Sequence, residues 1–166
     1  MKISIIVASN NKNLALAKRL DTIAVDMGAK TKIIDLVGEN LPLYTPKTQA
    51  ESGIPVKIKQ LTETLTYSEG MIFVAPEYNG GIPPSLTSAI AWLSVSGDDW
   101  RGCFNKKPAA LATYSGGGGQ YVLLALRSQL SYIGMNVIGR QIITNSHKEL
   151  NLDSAKDVIG QLIKSI

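Results

Sequence analysis

Met71-Ile72-Phe73-Val74-Ala75-Pro76-Glu77-Tyr78-Asn79-Gly80-Gly81-Ile82-Pro83-Pro84 decides how this chain is read. Its first five residues are apolar without interruption, the pattern of a strand buried on both faces, as in the middle of a parallel sheet. The polar, glycine-bearing residues behind them form a loop. Pro83-Pro84 then opens a helix, marked by Leu86, Ala89, Ile90 and Leu93 at helical spacing.

The same strand–loop–helix unit recurs on either side. Toward the N-terminus, Ile3 to Ala8 reads as a first strand. Leu16, Leu20, Ile23 and Met27 mark a helix closed by Gly28, and Thr31 to Val37 reads as a second strand. Gly38 to Gly53, holding Pro42 and Pro46, is expected to be a long polar loop. Ile54, Ile58, Leu61 and Leu65 line the next helix, with Pro55 in its first turn. Toward the C-terminus, Pro108 to Tyr114 is a fourth strand. Leu123, Leu126, Leu130 and Ile133 mark a helix ended by Gly134, and Val137 to Thr144 is a fifth strand. A last helix, capped near Asp153, carries Val158, Ile159, Leu162 and Ile163. Strands alternating with helices predict an α/β fold: a five-stranded parallel sheet with helices on both faces, as a single domain over residues 1–166.

Composition agrees with a packed domain. The chain has 166 residues, 45% hydrophobic and 18% charged, which excludes a disordered polymer. Net charge is +4, aromatics are 6%, and Lys and Arg are scattered rather than striped, which argues against a nucleic-acid partner. Cys103 is the only cysteine, so no internal disulfide forms and a reducing, cytoplasmic setting is expected. The run Ile3 to Ala8 is too short to span a membrane or to serve as a signal-peptide core, so no membrane partner is expected.

In a sheet of order 2-1-3-4-5, ligands bind at the carboxyl ends of the strands, where the order reverses between the first and third strands. Three loops fall there. Ser9-Asn10-Asn11-Lys12-Asn13 opens a helix whose free N–H groups suit a phosphate, and Asn11 or Asn13 equally suits a simple helix cap. Pro76-Glu77-Tyr78-Asn79-Gly80-Gly81-Ile82 combines an amide with glycines that let backbone approach a flat ligand, or else makes a tight turn before the helix. Ser115-Gly116-Gly117-Gly118-Gly119 is neither a P-loop nor a dinucleotide fingerprint. It reads as backbone meeting a ligand or as a surface loop.

Other residues carry less. His147 is expected in solvent and Cys103 to be inert. Trp92 and Trp100 are expected in the core or at a subunit contact. No metal-ligand spacing occurs, and no set of acid, base and nucleophile, which favours chemistry supplied by a cofactor.

Ala75-Pro76-Glu77-Tyr78-Asn79-Gly80-Gly81-Ile82-Pro83, with Leu86, Ala89-Ile90 and Trp92-Leu93 behind it, resembles the signature of NAD(P)H-dependent FMN reductases. That family has a flavodoxin-like fold, a three-layer sandwich, and includes quinone, azo-dye and chromate reductases. The resemblance implies FMN as cofactor and NADPH or NADH as electron donor. The acceptor it implies is a small molecule: a quinone, an azo compound, a metal ion or free flavin. It places Ser9, Asn11 and Asn13 at the FMN phosphate and Pro76, Glu77, Tyr78, Asn79 and Gly80 along the isoalloxazine. Ser115, Gly116 and Gly117 would lie at its other edge. It also implies a homodimer or homotetramer. The chain departs from the family at two places. Asn10, Asn11 and Lys12 stand where the family usually carries an Arg in the first loop, and Thr87-Ser88-Ala89-Ile90-Ala91 replaces a frequent Lys-Asn-Ala-Ile-Asp. A flavodoxin-type electron carrier and a flavin-free regulatory protein of the same fold are the alternatives.

Overall fold

Strand β1 (Lys2–Val7) lies inside a parallel sheet, between the edge strand β2 (Lys30–Asp35) and β3 (Gly70–Val74), in a computed structural model that describes residues 1–166. Next to β3 runs β4 (Pro108–Tyr114), which pairs at its start with β5 (Asn136–Val137) and at its end with β6 (Ile142–Thr144). The order β2-β1-β3-β4-β5 is the one expected, and its reversal falls between β1 and β3.

Side chains of the central strands alternate between two apolar layers. Ile3, Ile5, Val7, Ile72, Val74, Ala110 and Ala112 face α1 (Lys12–Asp26) and α7 (Leu152–Lys164). Ile6, Met71, Phe73, Ala109 and Leu111 face α4 (Val56–Thr66), α5 (Pro84–Ser94) and α6 (Gln120–Tyr132). Phe73 and Leu111 are fully enclosed, and burying a side chain of that size stabilises the fold by about 1.5–3 kcal/mol. The β2 edge presents Lys30 and Lys32 to solvent, charges that discourage edge-to-edge pairing.

Two sequence expectations change in detail. The fifth strand is split: Gly139, Arg140 and Gln141 leave the ladder between β5 and β6, and Arg127 of α6 fills in. Its guanidinium donates to the carbonyls of Val137 (3.3 Å), Ile138 (2.9 Å) and Gly139 (3.2 Å). The stretch from Gly38 to Gly53 is not a plain loop. It includes the end of the one-turn helix α2 (Leu36–Glu39) and holds α3 (Pro46–Ser52), whose Thr45 cap accepts from the Thr48 N–H. Leu36 and Val37 therefore belong to a helix and not to the second strand. Trp92, expected in the core or at a subunit contact, is a core residue with no exposed surface. Its indole N–H donates to the Pro42 carbonyl at 2.8 Å and its ring meets Tyr44 edge-on at 5.0 Å. Ser88, one of the departures from the family pattern, accepts from the Tyr44 N–H, so this part of α5 is engaged inside the chain.

Candidate functional site

The three loops read from the sequence lie together at the carboxyl ends of β1, β3 and β4, and side chains join them in pairs. Glu77 links the second to the third. One oxygen of its carboxylate accepts from the backbone N–H groups of Tyr121 (3.1 Å) and Val122 (3.2 Å), in the first turn of α6. A carboxylate there satisfies two otherwise free donors and complements the helix dipole. Glu77 thus acts as a cap supplied from another loop, because Gly119, at the N-cap position, has no side chain to offer.

The polyglycine stretch is shaped by what it packs on. Gly119 has φ +77°, and a Cβ there would come within 2.5 Å of the Thr113 side chain. Gly117 would press a Cβ to 3.1 Å from the Glu77 carboxylate. Its N–H donates to the Ser115 hydroxyl at 3.2 Å, folding the loop back on itself. Gly116 meets nothing within 4 Å and faces open space.

Pro76 is buried at the strand end, and the chain then makes a two-residue hairpin. Tyr78 and Gly81 exchange both backbone hydrogen bonds (3.2 and 2.9 Å), with Asn79 (φ 51°) and Gly80 (φ 74°) at the tip. Positive φ at both central residues is the type I′ geometry that Asn-Gly favours. Asn79 and Gly80 therefore have a structural reason to be there, and the hairpin leaves Tyr78 exposed at the rim.

In the first loop Asn11 takes the N-cap position of α1 with φ 58°, but its side chain makes no cap hydrogen bond. The N–H groups of that first turn stay open, beside the buried Ser9 and the exposed Lys12. Asn13 turns inward. It is only 3% exposed, donating to the Tyr114 carbonyl at 3.0 Å and accepting from the Tyr114 N–H at 2.8 Å. That pair of bonds fastens the start of α1 to the end of β4. Ser85 of α5 adds a bond to the Ala8 carbonyl at 3.2 Å, which holds the start of α5 to the end of β1.

Sequence reasoning passed over a cleft of about 490 Å³ on the α1 and α7 side of the sheet. Lys12, Leu16, Arg19, Tyr114, Asn145 and Lys148 are among its walls. The signal was present in α1, where Lys12, Ala15, Leu16 and Arg19 share one helix face. Outside these sites, Cys103 is buried, and that burial raises its thiol above the ordinary 9.0, the state of an unreactive cysteine. His147 is exposed, as expected.

The arrangement offers open N–H groups at a helix start, a carboxylate-braced glycine loop and an aromatic rim at the switch point of the sheet. The flavoenzyme FerB from Paracoccus denitrificans has the same fold, with TM-score 0.74 and 21% identity over 99% of this chain and 94% of that one. A quinone reductase of Escherichia coli is 33% identical over 103 residues, 61% of this chain and 53% of that protein. An NAD(P)H-dependent FMN reductase of Saccharomyces cerevisiae is 33% identical over 126 residues, 69% of this chain and 61% of that protein. The matched stretch thus spans about half the length of the quinone reductase. The family model for NADPH-dependent FMN reductase matches residues 1–149, from β1 through all three loops and on past β6, and the chain belongs to that family.

Proposed function

We propose that this chain is an NAD(P)H-dependent FMN oxidoreductase acting on a small acceptor such as a quinone, an azo compound, a metal ion or free flavin, with residues 1–166 working as one FMN-binding domain. The observation that carries the reading is the open first turn of α1. Its N-cap side chain leaves the backbone donors free, with Ser9 and Lys12 beside them, which suits a phosphate dianion. The open Gly116 backbone and the Tyr78 rim fit the edge and face of a flat heterocycle. When bound, FMN supplies the hydride and electron chemistry that no side chain here can perform.

The chain's own part is binding and orientation. Lys12 and the first-turn N–H groups of α1 would hold the phosphate. Glu77 keeps α6 and the glycine loop in place, so that backbone N–H groups would be fixed beforehand to stabilise negative charge on a bound flavin. The exposed Tyr78 would line the free face of a bound flavin, which donor and acceptor would use in turn. A cytoplasmic setting fits the reduced Cys103. No helix is long and apolar enough to cross a membrane.

The test is the purified protein itself. It should be yellow, or turn yellow on adding FMN, release a cofactor of FMN mass, and oxidise NADPH in the presence of a quinone. Double-reciprocal plots at several acceptor concentrations should be parallel. A colourless protein that binds no added FMN would overturn the reading, and intersecting lines would remove the shared face.

A further inference from the structure

The cleft beside α1 is lined by none of the residues of the second or third loop, and it shares only Lys12 with the first. Its walls have the chemistry of a nucleotide site. Lys12, Arg19 and Lys148 bring three cations to it, and Glu149 brings a single carboxylate. None of these four takes part in any of the chain's ion pairs. Arg19 and Lys148, with Lys12 at the border to the proposed phosphate loop, concentrate positive potential in one concavity, and clefts focus such a field.

The rest of the wall suits a planar base and a sugar. The half-buried Tyr114 presents its ring, with the Lys12 ammonium 5.9 Å from the centroid, and Leu16 and Leu150 form an apolar floor. Ala15 keeps the α1 face low between Lys12 and Arg19. Asn145 uses its side-chain oxygen on the His147 N–H at 2.8 Å, which leaves its amide N–H₂ to donate outward. Glu149 can accept from ribose hydroxyls. A volume of about 490 Å³ lies in the range of small-molecule sites.

We propose that this cleft binds a phosphate-bearing nucleotide, with Arg19 and Lys148 on the phosphate and Tyr114 against the base. Two sources share that chemistry: the adenosine 2′-phosphate half of NADPH and a free nucleotide. Only the first rests on the function proposed above.

The probe is adenosine 2′,5′-bisphosphate, titrated by calorimetry into the full chain with FMN added. Saturable binding is expected. Arg19→Ala and Lys148→Ala should each weaken it roughly tenfold, about 1.4 kcal/mol, and leave FMN affinity unchanged. Inhibition competitive with NADPH, together with a raised KM for NADPH and an unchanged KM for NADH in both variants, identifies the donor as the source. Binding that leaves NADPH oxidation uncompeted identifies a free nucleotide. No binding, or binding indifferent to both substitutions, overturns the proposal. Calorimetric binding in a protein that oxidises no NADPH would overturn the proposed function and leave this cleft standing.

Discussion

Asn13 uses both ends of its amide on one backbone unit, and that decides what its loss would do. The Tyr114 N–H and carbonyl lie at the end of β4, and Asn13 is their side-chain partner. Asn13→Leu preserves bulk but leaves both groups without it, at roughly 1–3 kcal/mol for each buried group stranded. The expected result is a loss of about 2–4 kcal/mol, read as a lower urea midpoint with unchanged slope. FMN affinity should fall as well, since the proposed phosphate loop is anchored by this residue. The sequence marks Asn13 as special but not which neighbour it serves, because Tyr114 is 101 positions away. The second loop forms the tight turn that was one of its two expected forms. Asn79-Gly80 is a local turn signal, and the chain obeys it whatever ligand lies alongside.

Cys103 gives a second prediction at this scale. Burial raises its thiol above 9.0, while the Thr66 side chain and Lys107 pull the other way. With the folded value above the unfolded one, the thiol's contribution to stability is complete below about pH 9 and is lost as pH rises through the folded value. Lys107, lowered by its own burial, titrates with the opposite sign. Comparison of wild type with Cys103→Ala at each pH therefore isolates the thiol. Unfolding midpoints of the two should diverge steadily above pH 9 and run parallel below it. Parallel curves throughout would refute the buried-thiol account.

Elements follow local signals only where no distant side chain overrides them. Pro108–Tyr114 is the strand the sequence predicts, residue for residue, because its apolar run is bounded by a proline and the glycine loop. Val137 to Thr144 reads equally well as one strand, yet it breaks at Gly139. The break is supported by Arg127, whose guanidinium bonds the carbonyls of Val137, Ile138 and Gly139 where β5 ends, and a pattern search along the chain has no view of that. Arg127→Met keeps most of the aliphatic stem and removes the donors. Hydrogen bonds from a charged group contribute about 1.5–3 kcal/mol, so Tm should fall by several degrees, with amide exchange fastest in residues 138–141. Helix α6 depends on a second remote contact, the Glu77 cap. Glu77→Gln keeps an acceptor and should cost little, whereas Glu77→Ala should cost about 1 kcal/mol and loosen the glycine loop against FMN. Equal FMN affinity in both variants would show that the cap does not serve the site.

At the scale of the molecule, the alternation of apolar runs was enough to give a parallel sheet with a helical layer on each face, whereas the strand order, and with it the switch point, came with the flavodoxin-like fold that the resemblance implies. What covers the outside was not legible in the same way. Trp92, read from the sequence as a core or subunit-contact residue, lies inside the chain. The exposed apolar surface is on α6 instead. Tyr121, Leu124 and Tyr132 are 69%, 66% and 72% exposed, and Trp100 stands 6.1 Å from the Tyr132 ring. Spacings of three and eight put the three α6 residues on one side of the helix, and Arg101 lies over the Trp100 ring at 4.2 Å. Tyr, Trp and Arg are the residues that dominate binding energy at interfaces, and a two-fold axis lets one such patch serve both copies. The stripe begins at Tyr121, beside Gly80 of the hairpin, so a second copy seated on α6 would stand at the mouth of the proposed flavin site. The expected assembly is therefore a homodimer through α6, alone or within a tetramer. Leu124→Glu with Tyr132→Glu places charge on two solvent-facing positions, so each chain should keep its fold and its unfolding midpoint. Light scattering should then show a mass near 17.8 kDa, against twice or four times that for the wild type. A wild-type mass of one chain, or an assembly indifferent to both substitutions, would place the contact elsewhere or abolish it.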